Sequence, residues 1–187
     1  MTSDIDIQKG NVLIGKPIIL GDVTFNRAVI LIVDSNKEGI VGFIVNRPLE
    51  DSLSDLLPEV SKNFKVFDGG PVEKNKLYFI HNIPELIQGG LKVAQDLYWG
   101  GDYKSVVQLI NEDRLDEKNI KFFLGYSGWG EMQLEDEISN EVWLKQSHLN
   151  TSEIIVCDKV SFWNTKIKTI GGDLLIWSNA PDNPNYN

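Results

Sequence analysis

The stretch from Ile120 to Trp143, IKFFLGYSGWGEMQLEDEISNEVW, limits this chain more than any other. Lys121-Phe122-Phe123-Leu124 is short, rich in aromatic residues and closed by Gly125, which predicts a buried strand ending in a tight turn. Gly125, Gly128 and Gly130 then let the backbone take positive φ or approach another group closely. After Gly130, Leu134 and Ile138 fall on one helical face, and Glu131, Glu135, Asp136 and Glu137 place carboxylates towards the positive end of a helix dipole. Trp129, at the start of that helix, reads first as a core plug and second as the wall of a cleft, because large aromatic residues are mostly buried. A candidate site is expected here.

The remaining chain supplies strands and helices without a regular alternation. Ala28 to Val33 is a continuous apolar run and Ile40 to Val45 returns after a turn, predicting a hairpin in the core, with Gly42 marking a bulge or a close backbone approach. Pro48 is expected to end the second of these strands. Ser52 and Asp55 have the spacing of a capping box before a short helix that Pro58 stops. Further strands are expected near Val66, at Leu77–His81, Leu91–Val93 and Leu97–Trp99, and Asp102 is placed to cap a helix from Tyr103 to about Asn111. Glu153–Cys157 is expected as a strand, Asp158 as the cap of a helix carrying Val160, Trp163, Ile167 and Ile170 and closed by Gly171, and Leu174–Trp177 as a last strand. This mixture predicts an α+β fold with a largely antiparallel or mixed sheet.

At 187 residues the chain is most simply one domain with a core of its own, with residues 1–9 flexible and residues 178–187 disordered. A net charge of −9 argues against a broad nucleic-acid surface, which needs lysine and arginine to neutralise phosphates. The basic residues that exist (Lys62 and Lys65, Lys74 and Lys76, Lys159, Lys166 and Lys168) read as solvated faces. The single cysteine, Cys157, excludes an internal disulfide, fits a reducing compartment and follows an apolar run, so it reads as a core residue. No apolar segment is long enough to cross a bilayer and the first residues do not resemble a secretion signal, so a cytoplasmic protein is expected.

The chemical motifs are mostly exclusions. Gly10 and Gly15-Lys16 match part of a phosphate-binding loop, but Pro17 replaces the hydroxyl residue that would hold magnesium and no helix is predicted to follow. The four Gly-Gly pairs lack the context of a dinucleotide fingerprint. Two histidines, His81 and His148, and one cysteine offer no metal-ligand spacing, so neither metal nor cofactor is expected. Gly125-Tyr126-Ser127-Gly128-Trp129 resembles a nucleophile elbow except that Trp129 replaces its last glycine, and a triad would need His148. The acidic residues 131–141 read as a solvated helix face before they read as paired catalytic carboxylates. Arg47, just beyond a strand, is either paired with a carboxylate or available to a ligand.

Taken together, Gly10 to Pro17, Phe25-x-Arg27, Gly42-x-x-x-Asn46-Arg47-Pro48-Leu49, Gly69-Gly70-Pro71-Val72, Gly125-Tyr126-x-Gly128-Trp129, Gln133-Leu134-Glu135-x-Glu137 and Asn140-x-x-Trp143 resemble the AlgH/YqgE family of bacterial proteins, from about Gly10 to Trp177. The resemblance implies one α+β domain over residues 10–177, with a mostly antiparallel, barrel-like sheet flanked by short helices. One branch of that family is named for regulation of alginate synthesis and is described as transcriptional. This chain departs from the pattern at Gly130-Glu131-Met132, where a glycine directly before Gln133 is expected, and at Ser127, where alanine is usual. The preferred expectation is a non-catalytic regulatory protein that binds a small molecule or a protein partner through Asn46, Arg47, Gly69, Gly70, His81, Trp129, Gln133 and Glu135. The alternatives are a hydrolase using Ser127 or the helix carboxylates, and a DNA-binding regulator.

Overall fold

The computed structural model describes residues 6–17, 23–147, 150–157 and 161–178. Residues 1–5, 18–22 and 179–187, His148, Leu149, Asp158, Lys159 and Val160 lie outside the described residues. Chain order gives β1 (Val12–Gly15), β2 (Val29–Asn36), β3 (Gly39–Ile44), β4 (Pro48–Ser52), α1 (Leu53–Leu56), β5 (Lys65–Asp68) and β6 (Val72–His81). There follow β7 (Leu91–Ala94), β8 (Leu97–Trp99), α2 (Tyr103–Asn111), β9 (Ile120–Trp129), α3 (Gln133–Ser139), β10 (Trp143–Gln146), α4 (Thr151–Val156), α5 (Ser161–Ile170) and α6 (Leu175–Ser178).

One domain is built on a ten-stranded sheet in the order β10-β1-β2-β3-β9-β6-β8-β7, with β4 and β5 branching from β9. Every pairing is antiparallel except β5 with β9, where Val66, Phe67 and Asp68 lie opposite Phe122, Phe123 and Leu124. The sheet curls so that β7 touches β2, and a Cβ on Gly10, just before β1, would lie 3.2 Å from that of Ala94. No ladder between the described strands closes it into a barrel.

β9 is long because it serves two halves of the sheet. Its first half lies between β5 and β6; its second half keeps β6 at Tyr126 and exchanges β5 for β3, with Ser127, Gly128 and Trp129 opposite Gly42, Val41 and Ile40. Gly125 and Gly128, expected to form a turn after Leu124, are therefore inside a strand that continues to Trp129, with Gly125 at φ +70 where the partner strands change. The β2–β3 hairpin forms as predicted. Gly42 is a site of close approach, since a Cβ there would lie 2.7 Å from Ile30 Cγ2, and the bulge is across from it between Ile32 and Asp34.

Three apolar clusters bury the faces. One joins Phe43, Phe67 and Phe123 to Ile154, Trp163 and Ile167 of the C-terminal helices. A second packs Leu53, Phe64, Phe79 and Phe122 under Val106 and Ile110 of α2, whose N-cap Asp102 accepts from the Ser105 N–H at 3.1 Å. A third gathers Ile30, Ile44, Trp129, Leu134 and Trp143.

Three local expectations are corrected. Residues 153–157 are not a strand: α4 runs from Thr151 to Val156, capped by Asn150, whose side chain accepts from the Ser152 N–H. Residues 174–177 are also helical, closing a 3-10 turn at Leu174 and starting α6 at Leu175. Pro48 begins β4 rather than ending a strand, at a position where its missing N–H is tolerated near a sheet edge.

Candidate functional site

The switch of partners along β9 explains the glycine-rich motifs. Where β5 ends and β3 takes over, Gly69 fills the gap: its N–H donates to Leu124 O at 2.9 Å, and its carbonyl accepts from the Ile44 N–H at 3.0 Å and the Ser127 hydroxyl at 3.1 Å. Side chains are excluded there. A Cβ on Gly69 would lie 2.2 Å from Gly125 O, one on Gly70 (φ +146) 2.4 Å from Ser127 Oγ, and one on Gly125 (φ +70) 2.7 Å from Val72 O. Ser127 is fully buried and its proton is committed to Gly69 O. His81, opposite Ile120, is seven residues further back along β9, roughly 20 Å away at the rise of a strand, so no described histidine is in reach of Ser127. His148 lies outside the described residues.

Asn46 and Arg47 serve the same junction. The Asn46 side chain is buried, accepts from the Val29 N–H at 2.9 Å and donates to Arg27 O at 3.1 Å, tying the end of β3 to the start of β2. Arg47 donates to the carbonyls of Thr24 and Asn26, approaches Asp68 at 3.9 Å, and its own carbonyl accepts from the Asp68 N–H at 2.9 Å.

At the far end of β9, Trp129 is 4% exposed. Its ring stacks near Phe25 and crosses Trp143 edge to face, centroids 6.1 Å apart. Both indole N–H groups donate to Glu137 Oε2, Gln133 Nε2 donates to Glu137 Oε1 at 3.0 Å, and the Gly130 N–H donates to Gln133 Oε1 at 3.1 Å. Glu135 is partly buried, and its Oε2 is buried with no hydrogen-bond partner.

His81 is fully buried at the opposite end. Its Nε2 bonds to Gly100 O at 3.0 Å and its Nδ1 accepts from the Ile83 N–H at 3.3 Å, which fixes the neutral tautomer with the proton on Nε2. Burial lowers its pKa, partly opposed by the Gly100 carbonyl. The eight residues expected to share a site thus fall into three groups along β9: Asn46, Arg47, Gly69 and Gly70 at the switch, Trp129, Gln133 and Glu135 near its end, and His81 near its start. They are not brought to one surface.

One residue that sequence reasoning passed over is Lys121. It is 2% exposed in an apolar strand, and its ammonium donates to the carbonyls of Ile154 (3.3 Å), Ile155 (3.4 Å) and Cys157 at the C-terminus of α4, lies 3.3 Å from Cys157 Sγ, and is 3.8 Å from the centre of the Phe67 ring. A lysine within an aromatic strand was its only signal, since a buried charge needs partners. Here it caps the negative end of a helix.

Two concave surfaces flank β9. A cleft of about 570 Å³ lies beside its first half, between Phe64, Phe67 and Ile120 on one side and Ile155, Val156 and Cys157 on the other. A shallower groove of about 470 Å³ lies over its second half, bounded by Asp34, Glu38, Gly39, Val72, Tyr126, Gly128 and Gly130. No group of three or more His, Cys, Asp or Glu among the described residues could hold a metal ion, and no helix among them is long and apolar enough to cross a membrane.

The same architecture is known from other chains. The solution structure of the AlgH protein from Pseudomonas aeruginosa superposes with a TM-score of 0.73 over 98% of this chain and 99% of that one, at 22% identity. A crystal structure of a Corynebacterium diphtheriae protein gives 0.71 over 94% and 93%, at 20% identity. At these identities the likeness speaks for the fold alone. In sequence, a UPF0301 protein of Cytophaga hutchinsonii is 36% identical over 183 residues, covering 97% of this chain and all of the relative. A UPF0301 protein of Parabacteroides distasonis is 32% identical over 182 residues, covering 96% and 91%. The AlgH-like family profile matches residues 12–175, from the first strand to the last helix and across the whole β9 junction, so this chain belongs to the AlgH-like family.

Proposed function

We propose that this is a non-catalytic, cytoplasmic regulatory protein that acts by binding, and that the groove over the second half of β9 receives an extended, positively charged segment of a protein partner. The observation that carries this reading is Gly130. Its backbone is not at positive φ, a Cβ there would meet nothing within 4 Å, and it is exposed, so neither strain nor packing accounts for a glycine. A bare backbone beside an open groove leaves room for close approach of another chain. Gly128 is exposed next to it, and the Tyr126 ring lies along it, with Cε2 3.1 Å from where a Cβ would stand.

Charge favours a basic partner. Asp34 and Glu38 line the groove and no lysine or arginine among its described lining residues does; Lys9 pairs with Asp34 at 2.7 Å, so Glu38 carries the charge, on a chain with a net charge of −9. The two other readings have less support. The Ser127 hydroxyl is buried and committed to Gly69 O, and the Glu137 carboxylate is occupied by two indole N–H groups and Gln133. Lys62, Lys65 and Lys118 do gather around the other cleft, but Asp113, Asp116 and Glu117 are among them, which opposes a phosphate backbone.

The test is a heteronuclear NMR titration of the full chain with tetralysine and tetraglutamate. Saturable shifts of the Tyr126, Gly128 and Gly130 amides with tetralysine alone, lost in Glu38→Lys and in Gly130→Val, are expected. Equal shifts with both peptides, or shifts confined to other surfaces, would sink the proposal.

A further inference from the structure

We infer that the cleft beside the first half of β9 is a second, separate binding site, for an organic anion with an apolar body. Its volume of about 570 Å³ falls in the range of small-molecule pockets. Phe64, Phe67, Ile120 and Ile155 provide apolar walls, and Val156 stands 51% exposed at its margin although it ends a helix whose neighbours Ile154 and Ile155 are buried.

Lysines from separate segments meet at this cleft. Lys62, Lys65 and Lys118 line it together with Asp116 and Glu117, and Asp113 pairs with Lys62, so the rim is locally balanced on a chain of net charge −9. Lys121 is the buried one, and its ammonium is turned to the α4 carbonyls. It holds the wall formed by Ile155, Val156 and Cys157 against β9, so the walls are fixed before a ligand arrives. Lys118 and Lys62 are placed at the rim, where Lys62 lies 5.8 Å from the centre of the Phe64 ring, donates to Leu115 O at 2.9 Å and forms an exposed ion pair with Asp113. Exposed pairs of this kind hold weakly, so an incoming carboxylate, sulfonate or phosphate can compete for the ammonium. The ligand's apolar part then lies on the aromatic walls and its acid at the lysine rim.

The probe is anilinonaphthalene sulfonate added to the native full chain, followed by fluorescence and then by competition. Saturable binding is expected, displaced by decanoate and not by decylammonium. It should weaken about threefold or more in Lys118→Glu and in Val156→Glu, and be unchanged in Lys92→Glu, an exposed lysine on β7 outside the cleft. Near-ultraviolet circular dichroism of each variant separates lost binding from lost folding. Equal displacement by the cationic amphiphile, equal affinity in all folded variants, or no saturable binding would each overturn the inference. None of these outcomes bears on the groove at Tyr126, because the peptide titration there is read at different amides.

Discussion

Trp129 and Trp143 donate their indole N–H groups to one and the same oxygen, Glu137 Oε2, at 2.9 and 2.7 Å. The first comes from the end of β9, the second from the start of β10, and the acceptor from α3 between them. The acidic helix is therefore fastened to the sheet by a charged acceptor shared between two buried donors. Hydrogen bonds to a charged group contribute more than neutral ones, and a donor left buried without an acceptor is costly.

Glu137→Ala leaves both indole donors unsatisfied and should lower stability by about 2–4 kcal/mol. Glu137→Gln retains an oxygen acceptor and should cost less. Chemical denaturation of the two variants checks the order. In the alanine variant, tryptophan emission should shift to the red as water reaches the rings. Equal destabilisation by both changes would mean that a neutral acceptor oxygen cannot stand in for the carboxylate.

The glycines of the central stretch should separate into two classes. Gly125→Ala places a Cβ 2.7 Å from Val72 O at φ +70, and the surrounding backbone cannot yield; a loss above about 3 kcal/mol is expected. Gly130→Ala meets no atom and no forbidden φ, so it should be neutral or stabilise by about 0.5 kcal/mol through the unfolded chain. Thermal denaturation decides this directly. A strongly destabilised Gly130→Ala would also remove the argument for a functional glycine.

Much of the fold was legible in the chain where local and tertiary preferences agree. The β2–β3 hairpin shows because both its faces are buried and its apolar runs are continuous. The Ser52 N–H bonds Asp55 at 2.9 Å, as the capping spacing implies, and Asp102 caps α2. Residues 153–157 misled because Ile154, Ile155 and Val156 are β-branched, a preference that the Asn150 cap and the Lys121 ammonium override at the two ends of α4. Gly125 and Gly128 misled in the other direction. They look like punctuation, but they sit in a strand whose neighbours change identity midway, which no local window can register. The candidate site was legible only as a set of unusual residues. Asn46, Arg47, Gly69 and Gly70 do meet, at a junction that orders the sheet, whereas the two clefts depend on lysines and glycines from distant segments.

Lys121 offers a direct measure of how α4 is held. Lys121→Met keeps the length and apolar stem of the side chain while removing the donor to three carbonyls, and should cost about 3 kcal/mol. Hydrogen exchange should show the loss first in α4, with Ile154 and Ile155 amides opening earlier than those of β9. Uniform acceleration throughout the chain would show that Lys121 supports the sheet itself rather than the helix on top of it.

His81 should set part of the acid sensitivity. Its folded pKa is lowered from the ordinary 6.5, chiefly by burial, so between the unfolded and folded values the unfolded chain binds more protons than the native one. The sign follows: the neutral ring's contribution is present above about pH 6.5 and is lost as pH falls through that value towards the folded pKa. Protonation would also place a hydrogen on Nδ1, which accepts from the Ile83 N–H, and break that bond. Unfolding free energy measured in steps from pH 7.5 to 5 should therefore fall more steeply for the wild-type chain than for His81→Gln, which is less stable at neutral pH but has no proton to take up there. Parallel curves would show that the carboxylates alone govern the acid limb.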